Sequence, residues 1–380
     1  MRVRLSWEPQ TDELEPTAMP TMYRVSARTG NNGFNSGFLT TDTSVEIDIE
    51  SYDTVYSFRV TAINDGGESF ESEILSAGIS SIAAGNVLVV NGFNRVSGSA
   101  WFDRDGMAGV EWWNDRGVPW NYDISPIGDQ YDFDRKSPWL DDDAPGWGAT
   151  YSELEGMVVA GNSFDFTATH GSSILKAGHS FYSVSEEYFS SSIISKAIFH
   201  TVDIIMGEQK STPGFPDRSS KVYSIYTPRF IDKIREVTGS GINIFMSGAY
   251  IGSDIGLSYS DSTAIKFAAG VLGFKHRTSH AVNNGEVYST DAVSRDFNWR
   301  YGFNTSFARE IYQVEAPDAI EPAGRGAATA FRYLQNHTSA GVIFSAGDYR
   351  VVTLGFPFET ILSDEKRDDL MKQVLNYFKK

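Results

Sequence analysis

The chain has 380 residues, 41% of them hydrophobic and none of them cysteine, and its 32 basic against 49 acidic side chains leave a formal charge of −17. That length exceeds one ordinary core, so two domains are expected. The negative surface repels phosphate backbones and argues against nucleic acid as a partner, and the missing cysteines exclude disulfides, thiolate nucleophiles and cysteine-ligated zinc. No run approaches the roughly 18 apolar residues of a membrane span, and residues 1–20 lack the basic start and apolar core of a signal peptide. Because Met1 leads straight into RVRLSWEP, which reads as the inside of a strand, the numbering is expected to start partway through a longer protein.

Over the first 80 residues apolar side chains recur at every second position, as in strands with one buried face: Val3, Leu5 and Trp7, then Tyr23, Val25 and Ala27, then Val45, Ile47 and Ile49. Residues 55–70 place Tyr56, Phe58, Val60 and Ala62 on one face before the turn Asn64-Asp65-Gly66-Gly67. The motifs LSWEP, YRVSA and YSFRVTAINDGGES resemble a fibronectin type III domain over residues 1–82, with Trp7 and Tyr56 as its early core tryptophan and late core tyrosine. The resemblance implies a seven-stranded β-sandwich serving as spacer or docking module. The small, polar stretch 76–85 (SAGISSIAAG) reads as the linker after it.

The pattern changes over residues 83–380. The apolar run 86–90 breaks into Asn91-Gly92-Phe93-Asn94, as a buried parallel strand does at a loop. Further strands are expected at 154–160, 201–206 and 242–247, and helices at 170–177, at 227–237 with Pro228 in the first turn, and at 363–377 capped by Ser363. Strand, helix, strand implies crossover units and a parallel sheet. A long insertion near 95–151 is crowded with Trp, Asp, Gly and Pro, residues 256–325 read as hairpins and loops, and 341–345 with 350–355 form a strand pair around Gly347-Asp348.

The expected fold is thus multidomain β plus α/β, an N-terminal β-sandwich followed by a doubly wound, mostly parallel α/β sheet domain. GNSFD at 161–165, INIFMSGAYIGSD at 242–254 and VVTLGFPFETI at 351–361 resemble the class I glutamine amidotransferase-like, flavodoxin-like fold. The whole chain is similar to Bacteroidetes secreted or surface proteins labelled xanthan lyase or N-acetylmuramoyl-L-alanine amidase. That resemblance implies an extracytoplasmic location, a polysaccharide or peptidoglycan fragment as partner, and a catalytic domain upstream whose metal ligands have no counterpart here.

In the amidotransferase-like fold a cysteine sits on the turn after a central strand; here Ala249 or Tyr250 stands in its place. Three readings of the turn follow: Ser247 as nucleophile, Ser247, Tyr250 and Asp254 as ligand-binding groups, or a tight connection with an aspartate cap. His170 follows Asn162 and Asp165 and is the candidate base, completing a catalytic set of His170, Ser247 and Asp254 at one sheet edge; the alternative for it is a helix-capping or packing histidine. Asn94, Asn162, Asp165 and Tyr250 are candidate ligand-binding groups. In the acidic loop 125–148, Asp129, Asp132, Asp134 and residues 141–143 offer oxygen ligands or paired carboxylates, and Trp139 and Trp147 offer sugar platforms. The bland alternative is a solvated loop whose tryptophans pack over the sheet. His276 and His280 lack the glutamate of H-E-x-x-H, and no glycine-rich phosphate loop follows Val90, so neither a metal nor a cofactor is expected. Three functions remain: glycan binding or processing, a hydrolase with a non-cysteine site, and a structural interaction module without a concave site.

Overall fold

The chain opens with seven strands, β1 (Arg2–Ser6), β2 (Met22–Thr29), β3 (Phe38–Thr40), β4 (Ser44–Asp48), β5 (Tyr56–Asn64), β6 (Gly67–Glu68) and β7 (Leu75–Gly78). The computed structural model describes residues 1–9, 16–93, 101–110, 129–151, 165–213, 221–257, 262–293, 300–306 and 308–379. β1 and β4 pair antiparallel and lie against a second layer in which β2 and β5 pair from Met22↔Ile63 to Thr29↔Tyr56. The period-two side chains meet between the layers: Leu5, Trp7 and Ile47 pack on Tyr23, Val25 and Val60, while Val3 and Ile49 pack on Tyr56 and Phe58. The Tyr56 hydroxyl accepts the backbone N–H groups of Glu50 and Ser51 at 3.2 and 3.0 Å, tying the turn after β4 to β5.

The first residues of the stretch read as a linker, 76–78, belong to a strand. β7 pairs with β5 on one side and then, through Ala77 and Gly78, with a strand of the following region on the other. Its small residues have a packing reason: a Cβ on Gly78 would lie 2.8 Å from Leu175 and from Phe181, and Ser76 Oγ meets the hydroxyls of Ser57 and Thr167 at 2.9 and 3.1 Å. Smallness in sequence here records close approach of layers rather than flexibility.

After β8 (Asn86–Asn91) come two short pairs, β9 (Trp101–Arg104) with β10 (Met107–Val110) and β11 (Asp129–Gln130) with β12 (Thr150–Tyr151). Then follow α1 (Phe166–Lys176), β13 (Ser180–Ser185), α2 (Glu186–Ser191), β14 (Thr201–Gly207), the pair β15 (Thr212–Pro213) and β16 (Lys221–Val222), α3 (Pro228–Gly239) and β17 (Asn243–Gly248). Strands β8, β13, β14 and β17 are parallel neighbours. The expected strand at 154–160 lies outside the described residues. Thr227 accepts the N–H of Phe230 at 3.2 Å, which with Pro228 in the first turn explains where α3 starts.

The remainder comprises α4 (Ser253–Leu257), α5 (Ser262–Phe267) running into a π-helical turn, β18 (Phe274–Thr278), β19 (Glu286–Ser289), β20 (Arg300–Gly302), β21 (Ala319–Pro322), β22 (Ala327–Tyr333), β23 (Ser339–Ser345), β24 (Arg350–Leu354) and α6 (Asp364–Phe378). β24 is the fifth parallel strand, beside β17. Spatially the five run β13-β8-β14-β17-β24, that is second, first, third, fourth, fifth. Antiparallel strands continue the sheet on both sides, giving one 14-stranded mixed sheet; the expectation of a mostly parallel sheet holds only for its centre. α1 and α6 cover one face through Phe166, Ile174, Leu370 and Val374, and α2, α3 and α5 cover the other through Phe189, Phe230, Ile234 and Phe267. Both faces of the central strands are therefore buried, which is why they read as unbroken apolar runs rather than alternating ones.

Candidate functional site

The carboxyl ends of β8 and β14 are where the connections diverge: the chain after β8 returns through α1 on one face, and the chain after β14 returns through α3 on the other. A crevice must open between two such strands, and in open α/β sheets this is where ligands bind. A cleft of about 320 Å³ occupies it. Gly92 and Met206 at the strand ends and Ile225 line its apolar part; Glu186, Glu187, Gln209, Tyr223, Ser224 and Thr227 supply its polar groups. The strand ends come close because residue 92 has no side chain: its N–H donates to Ile205 O at 2.9 Å, and a Cβ would stand 2.8 Å from Met206 Sδ. Tyr223 adopts φ of 57°, a left-handed backbone that costs a tyrosine about 1–3 kcal/mol and that clusters at binding sites.

Among the described residues the cleft's lining contains carboxylates, hydroxyls and an amide but no basic side chain. Burial raises the Glu186 carboxyl above its usual range, opposed by its hydrogen bond from Ser190. Behind it Glu73 accepts from Asn91 at the end of β8, and burial, helped by the charge of Glu187 and opposed by that bond, lifts Glu73 to about 7. An edge of this character favours neutral hydroxylated or cationic groups and disfavours anions.

The expected catalytic set does not assemble. His170 lies on α1 with no exposed surface; Nδ1 pairs with Asp203 at 2.8 Å and Nε2 with Glu359 at 3.4 Å, so both ring nitrogens are occupied. Tyr312 donates to the other oxygen of Glu359 at 2.6 Å, and the Phe358 ring packs edge-on at 4.6 Å. Burial alone lowers an imidazole, but Asp203 and Glu359 outweigh it and raise His170 to about 9. A protonated, enclosed imidazolium of this kind holds α1, β14 and the segment before α6 together and cannot act as a base at neutral pH. Ser247 is equally buried, and its hydroxyl has no hydrogen-bond partner among the described residues, so none of them activates it.

Asp254 is a staple. It accepts the N–H of Ser211 at 2.6 Å and that of Ile225 at 3.0 Å, tying the segments after β14 and before α3 to α4. The turn after β17 is closed the same way by Asp318, which accepts the N–H groups of Gly252 and Ser253 at 2.8 and 2.6 Å. Those are the donors a nucleophile elbow would aim at an oxyanion, and here a protein carboxyl consumes them. Tyr250 is buried in the core, with the Lys210 ammonium 4.6 Å from its ring.

Asp165 precedes α1 and forms an ion pair with Arg28 on β2, joining the N-terminal strands to the α/β layer rather than facing a ligand. Asn94 and Asn162 lie outside the described residues. In the acidic loop, the Asp132, Asp134 and Asp141 side chains accept N–H groups two residues on, which are turn-forming contacts. Among the described residues no three His, Asp or Glu side chains are placed to hold a metal. Trp147 Nε1 donates to Ala108 O at 2.9 Å, and Arg135 sits 5.6 Å over its ring. Trp139 and Leu140 are 64% and 68% exposed.

The buried acids Asp203, Asp318 and Glu359 organise this region, and none is singled out by motif. Their signal in the sequence is a lone carboxylate inside an apolar run, in TVDIIM, APDAI and FPFETI.

No protein family matches the sequence, and neither does any curated protein. Among solved structures the chain is similar to the twitchin kinase region from C. elegans, with 25% identity over 20% of this chain and 14% of that one and a TM-score of 0.19. It is similar to the exo-beta-1,4-mannosidase Op5Man5 from Opitutaceae bacterium strain TAV5, with 9% identity over 56% of this chain and 30% of that one and a TM-score of 0.35. For Agd3, a carbohydrate deacetylase, the values are 8% identity, 77% and 32% coverage and 0.34. The chain thus spans a third or less of these proteins. Likeness at such TM-scores carries no argument about this chain.

Proposed function

We propose that this chain is a glycan-binding protein that holds a neutral or amine-bearing sugar unit in the cleft between the ends of β8 and β14 without cleaving it. The observation that carries the reading is the cleft itself: a concave site at the strand-order switch point, with an apolar floor, convergent hydroxyl, amide and carboxylate groups, and no basic side chain among the described residues that line it. Such a set of acceptors and donors matches the hydroxyls of a pyranose, and its charge works against uronate-bearing polysaccharides such as xanthan. The exposed Trp139 side chain supports the same reading, because an exposed aromatic ring is what a longer glycan stacks on. A purely structural module would have no reason to keep a cleft of this composition. The hydrolase centred on His170, Ser247 and Asp254 has no support, since each of the three is engaged or enclosed elsewhere.

The finer identity belongs to the same proposal. A fibronectin type III sandwich over residues 1–82 is supported by Trp7 and Tyr56 lying in the β core. A flavodoxin-like, amidotransferase-like domain over 83–380 is supported by the strand order. Membership of the secreted proteins labelled xanthan lyase or amidase, with an extracytoplasmic location and peptidoglycan or surface polysaccharide as partner, rests on the sequence motifs. No helix among the described residues is long and apolar enough to cross a membrane.

The test is equilibrium binding of a panel of neutral, N-acetylated, amine-bearing and uronate-bearing oligosaccharides, with chromatography of each glycan afterwards. Neutral or amine-bearing members are expected to bind and be recovered intact. Preference for uronates, cleavage of any member, or absence of binding across the panel contradicts the proposal.

A further inference from the structure

The segment leading into β7 carries the N-terminal strands to the switch-point cleft. Thr167 on α1 donates to Ile74 O at 3.1 Å, and the N–H of Ser76 donates to the Ser183 hydroxyl on β13 at 2.6 Å. With the backbone anchored on both, the side chain of Glu73 is brought to the end of β8, where its carboxyl accepts from Asn91 Nδ2. Asn91 is buried and is the last residue of β8, paired with Ser185 on one side and Ile205 on the other. Each of the three leads into the cleft: Gly92 follows Asn91, Glu186 follows Ser185 and Met206 follows Ile205, and all three followers line it. A group that fixes the Asn91 side chain therefore fixes the place where the cleft's walls begin.

Glu73 also belongs to the cleft electrostatically, although it stands behind the lining. Burial lifts its carboxyl to about 7 against the bond from Asn91, and the charge of Glu187, a lining residue, adds to the rise. The polar and charged groups that face it are Asn91 from β8 and Glu187 from α2. Next along α2, Glu186 accepts from Ser190 and faces both Glu187 and Arg229 of α3. The hydroxyls of Thr167 and Ser183, which hold the Glu73 segment from α1 and β13, do not titrate near neutrality. When Glu73 ionises it sets a second carboxylate charge behind that of Glu187. A cation in the cleft is attracted by both charges, and a neutral ligand by neither.

We propose that Glu73, supplied by the N-terminal strands, is a positioning residue of the switch-point cleft: it holds the cleft's walls through Asn91 and, once ionised, tightens the cleft on an amine-bearing sugar. This rests on the glycan-binding reading of the cleft and adds a regulation to it, an affinity for amino sugars that rises with pH through neutrality while that for neutral sugars stays level. The N-terminal strands are then part of the site rather than a spacer beside it.

The experiment is calorimetric titration of the full chain at pH 6.0 and pH 8.0 with methyl 6-amino-6-deoxyglucoside, whose alkylamine stays charged over this range, and with methyl glucoside as the neutral control. From the lower to the higher pH the amino sugar is expected to bind at least about fivefold more tightly and the neutral sugar to change by less than about twofold. Glu73→Gln keeps an oxygen for Asn91 and should bind both sugars as the wild type does at pH 6.0, with the pH-dependent gain reduced to less than about twofold. Glu73→Met has no acceptor for Asn91 and should lose the gain and also weaken both sugars at least about threefold. An amino-sugar gain that persists in either folded variant overturns the proposal, as does neutral-sugar binding unchanged in Glu73→Met. If neither variant folds, the wild-type comparison decides: a gain confined to the amino sugar supports the proposal, and equal pH dependence of the two sugars overturns it. Binding of both sugars without a gain sinks the role of Glu73 and leaves the glycan reading standing, whereas binding of neither sugar at either pH removes both.

Discussion

Replacing His170 with Gln removes the cation that bridges Asp203 and Glu359, and its cost can be worked from two directions. Breaking a buried ion pair by deleting one partner costs about 3–5 kcal/mol, because the remaining charge stays out of water. The raised proton affinity of His170, from 6.5 to about 9, corresponds to about 3 kcal/mol. The sign is fixed: a folded value above the unfolded one gives stability that is fully present below pH 6.5 and lost as pH rises through about 9. The wild type should therefore exceed His170→Gln by about 3–4 kcal/mol at pH 6, and the gap should shrink to about 1 kcal/mol, the worth of an ordinary hydrogen bond, at pH 9.5. Urea unfolding of both proteins across this range measures the gap directly. A gap below about 1 kcal/mol at pH 6, or one that does not change with pH, would refute the assignment of His170 as a buried imidazolium.

Other expectations follow from the same geometry. Burial, only partly opposed by hydrogen bonds from Ser253 and Gly252, raises Asp318 to about 8, so its contribution to stability falls as pH rises from 3.8 to about 8. Asp318→Asn should flatten that slope in pH-dependent unfolding, whereas Asp318→Ala, which strands two buried N–H groups, should cost about 2–5 kcal/mol at pH 7. Gly171→Ala should destabilise by about 1–3 kcal/mol despite alanine's better helix propensity, because the new Cβ would lie 2.0 Å from Phe181 Cζ; a higher melting temperature would contradict the packing of α1 on β13. Trp139→Ala should change stability by less than about 0.5 kcal/mol and weaken a long glycan roughly two- to tenfold, read by thermal unfolding and calorimetry side by side.

Much of the framework was legible because simple periodicities governed it. The alternation around Tyr23, Val25, Phe58 and Val60 marked half-buried strands, the runs at 86–90 and 201–206 marked buried parallel ones, and Ser363 and Thr227 marked helix starts whose caps are seen at Lys366 and Phe230. What was not legible depended on long-range contact. Residues 76–78 are small because β7 lies under α1 and beside β13, a constraint about 100 residues away in sequence that extends to the Ser80–Ser180 bond. Local sequence left His170 open between a base and a packing histidine, because it cannot show Asp203 and Glu359 closing on the ring from positions 33 and 189 residues away. Asp254 looked like a ligand group for the same reason, its partners being the backbone of Ser211 and Ile225. The cleft at the sheet edge opens between β8 and β14 rather than at the turn after β17, where Asp318 occupies the donors.

Locating a bound glycan tests the central claim most directly. Crystals of the full chain soaked with the tightest neutral or amine-bearing oligosaccharide should show an intact sugar unit in the cleft beside Gly92, with hydrogen bonds to groups among Glu186, Gln209, Tyr223, Ser224 and Thr227. A sugar bound at the turn after β17 with His170 drawn toward it, or a cleft that stays empty while the glycan occupies another surface, would contradict the account.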